Sequence, residues 1–284
     1  FLYFLLFSLK KNFANKQEFN IPIICVGNIF VGGTGKTPLS IYIHNFLKKK
    51  KFKPAIARKY YKSHFDEIKL TETKVSHFFS HKNRVSAITE AAKKGNNIVI
   101  LDDGFQDFSI KKDLNIICFN TTDFIGNGFI LPAGPLREPL QNLSKAQIVI
   151  INGKKNKDFE NKIKGLSNSI EVFYSQYVIK KKTNLINKKI LAFAGIGNPK
   201  SFFNLLKENK LKVKREISFP DHYSYTKNDI KNMIQKAKKE NLKLVTTEKD
   251  YYRIKSLGLK KIDYISIDLK IEKYKIFEKE ILKY

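Results

Sequence analysis

The chain has 284 residues and a formal net charge of +28, yet 42% of its residues are hydrophobic and 13% are aromatic. This content excludes an intrinsically disordered protein and suffices for the core of one large or two modest domains. The 49 lysines far outnumber the five arginines. Because nucleic-acid readers favour arginine, the excess indicates the composition of an AT-rich genome or attraction to an anionic membrane, with nucleic-acid binding as the alternative.

The N-terminal stretch "FLYFLLFSLKK" opens with a seven-residue apolar run. Such a run is too short to span a bilayer. It is typical of the remnant of a signal-peptide core, or of an amphipathic helix that lies on a membrane or packs on the domain. We predict a membrane-associated segment over residues 1–20. Cys25 and Cys118 lie in apolar runs, which indicates buried strand residues in a reducing compartment and no disulfide.

Short apolar runs alternate with helical patterns through the first half, which predicts a parallel α/β sheet covered on both faces. The polar, lysine-rich stretch 154–189 predicts a domain junction, and a second α/β pattern follows it. We therefore predict domains over 21–175 and 176–284. The predicted strands are 21–27, 53–59, 97–104, 114–120, 146–153, 189–197, 242–250 and 262–268, and the predicted helices are 36–50, 83–95, 199–209 and 227–240.

The stretch "VGNIFVGGTGKTPLS" at 26–40 leaves a predicted strand and enters a predicted helix. Its glycines let backbone N–H groups point at phosphate oxygens beside the positive end of the helix. Lys36 would reach the β- and γ-phosphates of a nucleotide, and the Thr37 hydroxyl would bind Mg²⁺. The usual pattern has glycine where Phe30 stands, so a simple strand-to-helix turn is the alternative. The predicted nucleotide-binding residues are Gly32, Gly33, Thr34, Gly35, Lys36 and Thr37.

Two carboxylates end the apolar strand of "NIVILDDGFQD" at 97–107. Open α/β sheets bind ligands at the carboxyl ends of their strands, so Asp102 or Asp103 is a candidate Mg²⁺ ligand. The spacing does not choose between them, and a plain Asp-Asp-Gly turn is the alternative.

Three loops carry further polar residues. The stiff stretch "LPAGPLREP" at 131–139 suits the positioning of Arg137 toward an anionic ligand. In "FPDHYSYT", His222 stands beside Asp221, and spacing alone favours an ordinary surface or core histidine. In "SHFDEIKL", the spacing of Asp66 and Glu67 indicates only a solvated loop.

Seven motifs occur in order between Val26 and Asp250, and together they resemble the tetraacyldisaccharide 4′-kinase (lipid A 4′-kinase) family. The resemblance implies a P-loop NTPase-like parallel sheet core with helices on both faces, plus a smaller C-terminal α/β domain. It implies transfer of the γ-phosphoryl group of ATP, with Mg²⁺, to the 4′-hydroxyl of a tetraacylated glucosamine disaccharide 1-phosphate. The motifs are "VGNIFVGGTGKTP", "NRV", "ILDDGFQD", "GNGFILPAGPLREPL", "AFAGIGNPKSFF", "FPDHYSYT" and "TTEKD".

The resemblance also implies a peripheral protein on the cytoplasmic face of the bacterial inner membrane, with the acylated disaccharide lipid and the anionic membrane surface as partners. We expect a monomer with no nucleic-acid partner. Asp66-Glu67 stand 18 positions before Arg84, where the family has its acidic motif. This match implies that Asp66 is the general base, paired with His222. Lys36 and Arg84 complete the predicted catalytic set, and the predicted substrate or support residues are Glu67, Gln106, Asp107 and Arg137.

The chain departs from the family pattern in three places, one of which is a short N-terminal segment that bears on membrane attachment. "ARKYYKSHFDE" stands where the family has Arg-Gly-Tyr-Gly, with Phe65 in place of the glycine before the acidic pair. Asp107 stands where the family has histidine. Two alternatives therefore accompany the kinase: a nucleic-acid-associated or switch-type P-loop NTPase, although no N/T-K-x-D motif for guanine is found, and a non-catalytic relative of the kinase.

Overall fold

The computed structural model describes residues 16–180, 185–259 and 261–284. The predicted segment 1–20 therefore lies largely outside the described residues. The strands are β1 (Ile23–Gly27), β2 (Pro54–Lys59), β3 (Phe78–His81), β4 (Ile98–Asp102), β5 (Leu114–Asn120), β6 (Ile148–Asn152), β7 (Glu171–Ile179), β8 (Lys189–Ala194), β9 (Lys212–Ser218), β10 (Lys243–Thr247), β11 (Asp263–Ile265) and β12 (Ile267–Ile271). The α-helices are α1 (Lys36–Lys49), α2 (Phe65–Lys74), α3 (Arg84–Lys93), α4 (Lys157–Lys164), α5 (Pro199–Glu208), α6 (Lys227–Lys239), α7 (Glu248–Lys255) and α8 (Tyr274–Ile281), and short 3₁₀ helices cover Lys62–His64 and Leu140–Lys145.

The chain divides into two compact units that interleave in sequence. The first comprises the described residues up to Tyr60, Lys74–Gln176 and Leu269–Tyr284, and the second comprises Tyr61–Thr73 and Tyr177–Asp268. The predicted division at 175/176 thus lies one residue from a boundary between units. It differs at 61–73 and at 269–284, because a linear division cannot represent segments that pack with a distant part of the chain. In the described part of the chain, no helix combines the length and apolarity that crossing a bilayer requires.

The first unit is built on an eight-stranded sheet with the order β12-β7-β6-β5-β1-β4-β2-β3. The pairs from β7 to β3 are parallel, and β1 and β4 are buried along their whole length, as expected for strands covered on both faces. The register sets Val26 and Arg58 beside Asp102. The carboxyl ends of β1, β4 and β2 therefore lie side by side. The predicted parallel α/β class is confirmed.

Helix α1 begins where the glycine loop ends. Its N-cap, Gly35, has φ of 93°, a left-handed conformation that glycine adopts without steric cost. Leu39, Ile43 and Leu47 are buried along one face, and the lysines of the last turn suit the negative end of the helix dipole. The amphipathic pattern and the caps thus place the positive end of α1 directly after the loop.

The second unit contains a four-stranded parallel sheet with the order β11-β10-β8-β9. Helix α6 begins with a capping box formed by Thr226 and Asp229. Helix α7 follows β10 directly, with Thr247 as its N-cap. Strand β9 and helix α7 were not predicted from the sequence, because each is mostly polar or charged and buries few side chains.

Two stretches with weak sequence patterns are also ordered elements. The predicted junction at 154–189 contains helix α4 and strand β7, and α4 buries only Phe159 and Ile163. The reading of Asp66 as part of a solvated loop was wrong, because it lies in helix α2 and is buried. Helix α2 buries Asp66, Ile68 and Thr71, of which only Ile68 is apolar, so the segment shows no hydrophobic period.

Candidate active site

The glycine loop is held from inside by Asn28, which is fully buried. Its side-chain amide donates to the carbonyl of Phe30 at 2.6 Å and to the hydroxyl of Thr34 at 3.0 Å. Phe30 itself is buried and forms a β-bridge with Leu136. Gly32 has φ of 139°, and a Cβ there would lie 3.3 Å from the Phe30 ring. Phe30, which stands where the usual pattern has glycine, therefore packs against the loop and supports it.

The predicted residues Gln106 and Arg137 also connect to this loop. Gln106 donates from its amide to the carbonyl of Asn28 at 2.7 Å and to Glu138 at 2.6 Å. The backbone N–H of Arg137 donates to the carbonyl of Ile29 at 2.7 Å. Burial raises the pKa of Glu138, which Gln106 only partly offsets. Gln106 is thus placed as a support of the loop entry.

Asp102 is fully buried and orients Thr37. One of its oxygens accepts from the Thr37 hydroxyl at 3.0 Å and from the Arg58 guanidinium at 2.9 Å, and the other accepts from Ser40 at 3.3 Å. The Thr37 hydroxyl donates its hydrogen to Asp102 and accepts a long bond from Arg58 at 3.4 Å, so one lone pair of its oxygen would remain for a cation. Asp102 therefore orients the predicted metal ligand through a hydrogen bond.

Asp103 adopts a left-handed backbone conformation with φ of 58° and faces the cations of the loop. Lys36 Nζ lies 3.5 Å from its Oδ1, and Arg137 donates to the same oxygen at 3.1 Å. Burial raises the pKa of Asp103, but Lys36, Arg137 and Arg84 lower it by more, to about 2. Asp103 is therefore an ionised carboxylate beside Lys36, the lysine predicted to bind phosphate.

Arg84, which is buried, forms an ion pair at 3.2 Å with the partly exposed Asp107. Arg84 also donates to the backbone carbonyl of Asp103, and Asp107 accepts from the Ser109 hydroxyl at 2.6 Å. Burial raises the pKa of Asp107, but Ser109 and Arg84 lower it by more. Asp107, which stands where the family has histidine, thus serves to anchor Arg84.

The second unit brings together Asp66 and His222, as the resemblance implied. Asp66 is 1% exposed, and its Oδ1 lies 3.7 Å from His222 Nδ1, longer than a hydrogen bond. Within the described residues, Oδ1 has no hydrogen-bond partner, whereas Oδ2 accepts two bonds from Arg253. One oxygen of this buried carboxylate is therefore held by Arg253, whereas the other accepts no hydrogen bond from the described residues.

Two neighbours fix His222 and the acidic pair. The imidazole stacks on that of His64, with ring centroids 4.6 Å apart and planes 9° apart. Lys249 Nζ contacts Glu67 at 2.8 Å and lies 3.7 Å from Asp66. The 3₁₀ helix Lys62–His64 thus carries the ring that stacks on His222, and α2 carries the Asp66 carboxylate beside His222.

Arg58 and Arg253 were missed by the sequence reasoning, although a signal existed. In a chain with 49 lysines, only five arginines remain. Four of them pair with aspartates in these clusters, whereas Arg215 forms an exposed pair with Glu240. Arginine resists replacement by lysine where a planar group must donate several bonds. Its rarity could therefore have indicated the site residues.

Replacing Arg58 with leucine should lower the free energy of unfolding by about 3–5 kcal/mol, because Asp102 would remain buried without its cation. Urea denaturation monitored by circular dichroism measures this change. The matched control, Arg215→Leu, should stay within about 1 kcal/mol, since its pair is exposed. An equal loss in both variants would contradict a structural role of the Arg58–Asp102 pair.

The first unit has the parts that define a P-loop nucleotide-binding protein. A parallel strand enters a glycine loop, the following helix opens with Lys-Thr, and a neighbouring strand ends in two carboxylates. The sequence matches the family model described as Tetraacyldisaccharide-1-P 4′-kinase over residues 1–284. The chain belongs to the tetraacyldisaccharide 4′-kinase family. The predictions of family, fold class and kinase activity are thereby confirmed.

Individual relatives agree with this assignment. The chain is 39% identical over 277 residues to the tetraacyldisaccharide 4′-kinase of Pelagibacter ubique. The alignment covers 96% of this chain and 87% of the relative. It is 36% identical over 284 residues to the tetraacyldisaccharide 4′-kinase of Wigglesworthia glossinidia brevipalpis. That alignment covers 89% of this chain and 75% of the relative. The crystal structure of LpxK from Aquifex aeolicus in complex with ATP superposes with a TM-score of 0.73 at 25% identity, covering 99% of this chain and 96% of that one.

Proposed function

We propose that the protein transfers the γ-phosphoryl group of ATP to the 4′-hydroxyl of a tetraacylated glucosamine disaccharide 1-phosphate, with Asp66 as the general base. The observation that carries this proposal is the family match over residues 1–284. The first unit would be the P-loop kinase core, and the second would supply the groups that act on the acceptor. The geometry of each unit supports this division of labour.

On the nucleotide side, the backbone N–H groups of Gly32–Gly35 and the start of α1 would bind the phosphates. Lys36 would neutralise the β- and γ-phosphates, since its ammonium is held beside the loop by Asp103 at 3.5 Å. Arg137 shares that carboxylate, so it is positioned to offset charge on the transferred group. Arg84, which is buried and tied to Asp107, would act by holding the Asp103 backbone.

The residues of the first unit fit a magnesium ion. Mg²⁺ prefers oxygen ligands and is usually held by one or two protein groups together with phosphates and water. Thr37 and Asp103 would hold it, with Asp102 orienting Thr37. When bound, the ion would neutralise charge on the β- and γ-phosphates. Over the described residues, no cluster of three or more His, Cys, Asp or Glu could hold a metal by itself, so this donor set agrees with phosphate-assisted binding.

On the acceptor side, a sugar hydroxyl is a weak nucleophile that needs a positioned base. Oδ1 of Asp66 has no hydrogen-bond partner in the described part of the chain, so its lone pairs would be available for the hydroxyl proton once the acceptor contacts it. His222, stacked on His64, would orient this oxygen or share the proton. Glu67 would hold Lys249 next to the base.

The test is transfer of ³²P from γ-labelled ATP to a tetraacyl disaccharide 1-phosphate in detergent micelles. We expect a labelled bisphosphorylated lipid that forms in proportion to enzyme and requires Mg²⁺. ATP hydrolysis without labelled lipid would overturn the proposal, and lipid binding with neither hydrolysis nor phosphoryl transfer would favour the non-catalytic relative. A switch-type NTPase would instead be indicated by hydrolysis that duplex DNA or RNA stimulates.

We further propose that the protein acts as a monomer bound peripherally to the cytoplasmic face of the inner membrane. The net charge of +28 and the lipid nature of the acceptor support attachment to an anionic surface. Sedimentation velocity tests the monomer, and a dimer at micromolar concentration would contradict it.

Binding to vesicles should depend on lipid charge. We expect the protein to cosediment with vesicles that contain phosphatidylglycerol and to be released as salt rises from about 0.05 to about 0.5 M, because salt screens exposed charges. Vesicles of phosphatidylcholine alone are the matched control. Equal binding to both vesicles at every salt concentration would rule out attachment through the lysines.

A further inference from the structure

We infer that Arg253 is a positioning residue for phosphoryl transfer. It holds Asp66 by one carboxylate oxygen and so leaves the other oxygen to accept the proton of the acceptor hydroxyl. The inference rests on the proposed role of Asp66 as general base. It assigns a function to helix α7, which the sequence motifs did not explain.

The contacts of Arg253 with Asp66 are made through a single oxygen. Nε donates to Oδ2 at 2.9 Å and Nη2 donates to the same oxygen at 2.6 Å. A guanidinium often spans both oxygens of a carboxylate, which would occupy each of them. Here both donors use Oδ2, and Oδ1 has no hydrogen-bond partner among the described residues. The bonding pattern therefore separates an anchored oxygen from a reactive one.

Arg253 is itself fixed by Asp250, a fully buried carboxylate of the same helix. Nη1 donates to Asp250 at 2.9 Å and also to the backbone carbonyl of Gly195. Asp250 accepts further bonds from the Gly195 N–H at 3.0 Å, the Tyr225 hydroxyl at 3.0 Å and the Thr247 hydroxyl at 2.7 Å. The guanidinium plane is thus held on two edges, so its position determines that of Asp66.

The charge of Arg253 also keeps the base ionised. Burial raises the pKa of Asp66, but His222, Lys249 and Arg253 lower it by more, so it lies below its usual value. Glu67 raises the pKa of Asp66. Asp250 is the other carboxylate in contact with Arg253, and it accepts a hydrogen bond from Nη1. Because a buried carboxyl without cations would be protonated near neutral pH and could not act as a base, Arg253 sustains its function.

Lysine would not provide the same geometry. Its ammonium is a point charge on a flexible chain, whereas the planar guanidinium donates to Asp66, Asp250 and the Gly195 carbonyl at once. In a chain that otherwise uses lysine as its cation, this position has one of only five arginines. The requirement for directed bonds to three acceptor groups is a physical reason for that choice.

The experiment compares pH profiles of kcat/KM for lipid phosphorylation. For the unchanged protein, an acid limb due to Asp66 should lie below the ordinary pKa of an aspartate, because the cations around it depress the folded pKa. In Arg253→Gln the limb should move to higher pH by about one unit or more, since an opposite charge lowers a carboxyl pKa by about 1–3 units. The same comparison in a His222→Gln background assigns the limb to Asp66, because that variant has no imidazole at this position.

Arg253→Lys separates charge from geometry. It should leave the acid limb within about half a unit, because the charge is kept, and should lower kcat by about tenfold, because the two bonds to Oδ2 are lost. Arg215→Gln is the matched control, an arginine of the same unit in an exposed pair. It should reproduce the unchanged protein in both respects.

The outcomes separate the inference from the proposed function. If Asp66→Asn is inactive but Arg253→Lys and Arg253→Gln both match the unchanged protein in kcat and pH profile, the inference alone is wrong. If Asp66→Asn keeps activity within tenfold, the base assignment fails and the inference falls with it. Far-UV circular dichroism and urea denaturation report folding of each variant. Should Arg253→Gln not fold, the kcat and limb of Arg253→Lys decide, and an unchanged kcat would overturn the inference.

Discussion

Replacing Asp66 with asparagine is expected to lower kcat for lipid phosphorylation by about 10²–10⁴-fold, the range that general-base catalysis contributes. The amide has nearly the shape of the carboxylate but cannot take up the hydroxyl proton. Oδ1 is the oxygen concerned, since the other oxygen is held by Arg253. Steady-state rates with saturating ATP and lipid measure the effect, and the KM for ATP should change little.

Glu72→Gln is the matched control for this substitution. Glu72 lies in the same helix, and its pair with Lys69 is exposed. Its exchange for an amide should leave kcat within about twofold, because exposed ion pairs contribute little. If both variants retained full activity, Asp66 would not be the base. If both lost it equally, the loss would reflect damage to helix α2.

The second large effect is expected for Lys36→Met, which should lower kcat/KM by about 10²–10³-fold. The methionine keeps an apolar chain of similar length but removes the charge that would stabilise the transferred phosphoryl group. It also leaves Asp103 with one cation fewer beside it, so the negative charge of this carboxylate near the phosphates would be less compensated. Rates at varied ATP concentration, together with calorimetric titration of a non-hydrolysable ATP analogue, separate binding from turnover.

Lys48→Met controls for the loss of a lysine from helix α1. Lys48 is exposed in the last turn of that helix. We expect unchanged kinetics, because its charge contributes only weakly through the helix dipole. A Lys36 variant that bound the analogue and transferred phosphate as well as this control would refute the phosphate-binding role of the loop.

The glycine loop and its helix could be predicted because their signals are local. A buried strand, three glycines, Lys36-Thr37 and an amphipathic helix follow one another within about 25 residues, and each has its own chemical reason. The local pattern does not explain Phe30, which stands where the usual motif has glycine. Its place beneath the loop depends on a bridge to Leu136, more than a hundred positions away.

The carboxylate pair shows how a local signal can be incomplete. The sequence placed Asp102 and Asp103 at a strand end but could not distinguish their roles. The structure separates them, because Asp102 is buried between Thr37, Ser40 and Arg58, whereas Asp103 faces Lys36. That difference arises from the order of β1, β4 and β2 in the sheet.

The sequence by itself determined the nucleotide-binding loop, the parallel α/β class and the family, because these depend on residues that are neighbours in the chain or recur in a fixed order. Only the tertiary structure decided the environment of Asp66. Its partners His222, Lys249 and Arg253 lie more than 150 positions further along, and they meet it in the compact unit formed by 61–73 and 177–268. Burial and charge at a site depend on everything that packs around it, and no stretch of chain contains that information alone.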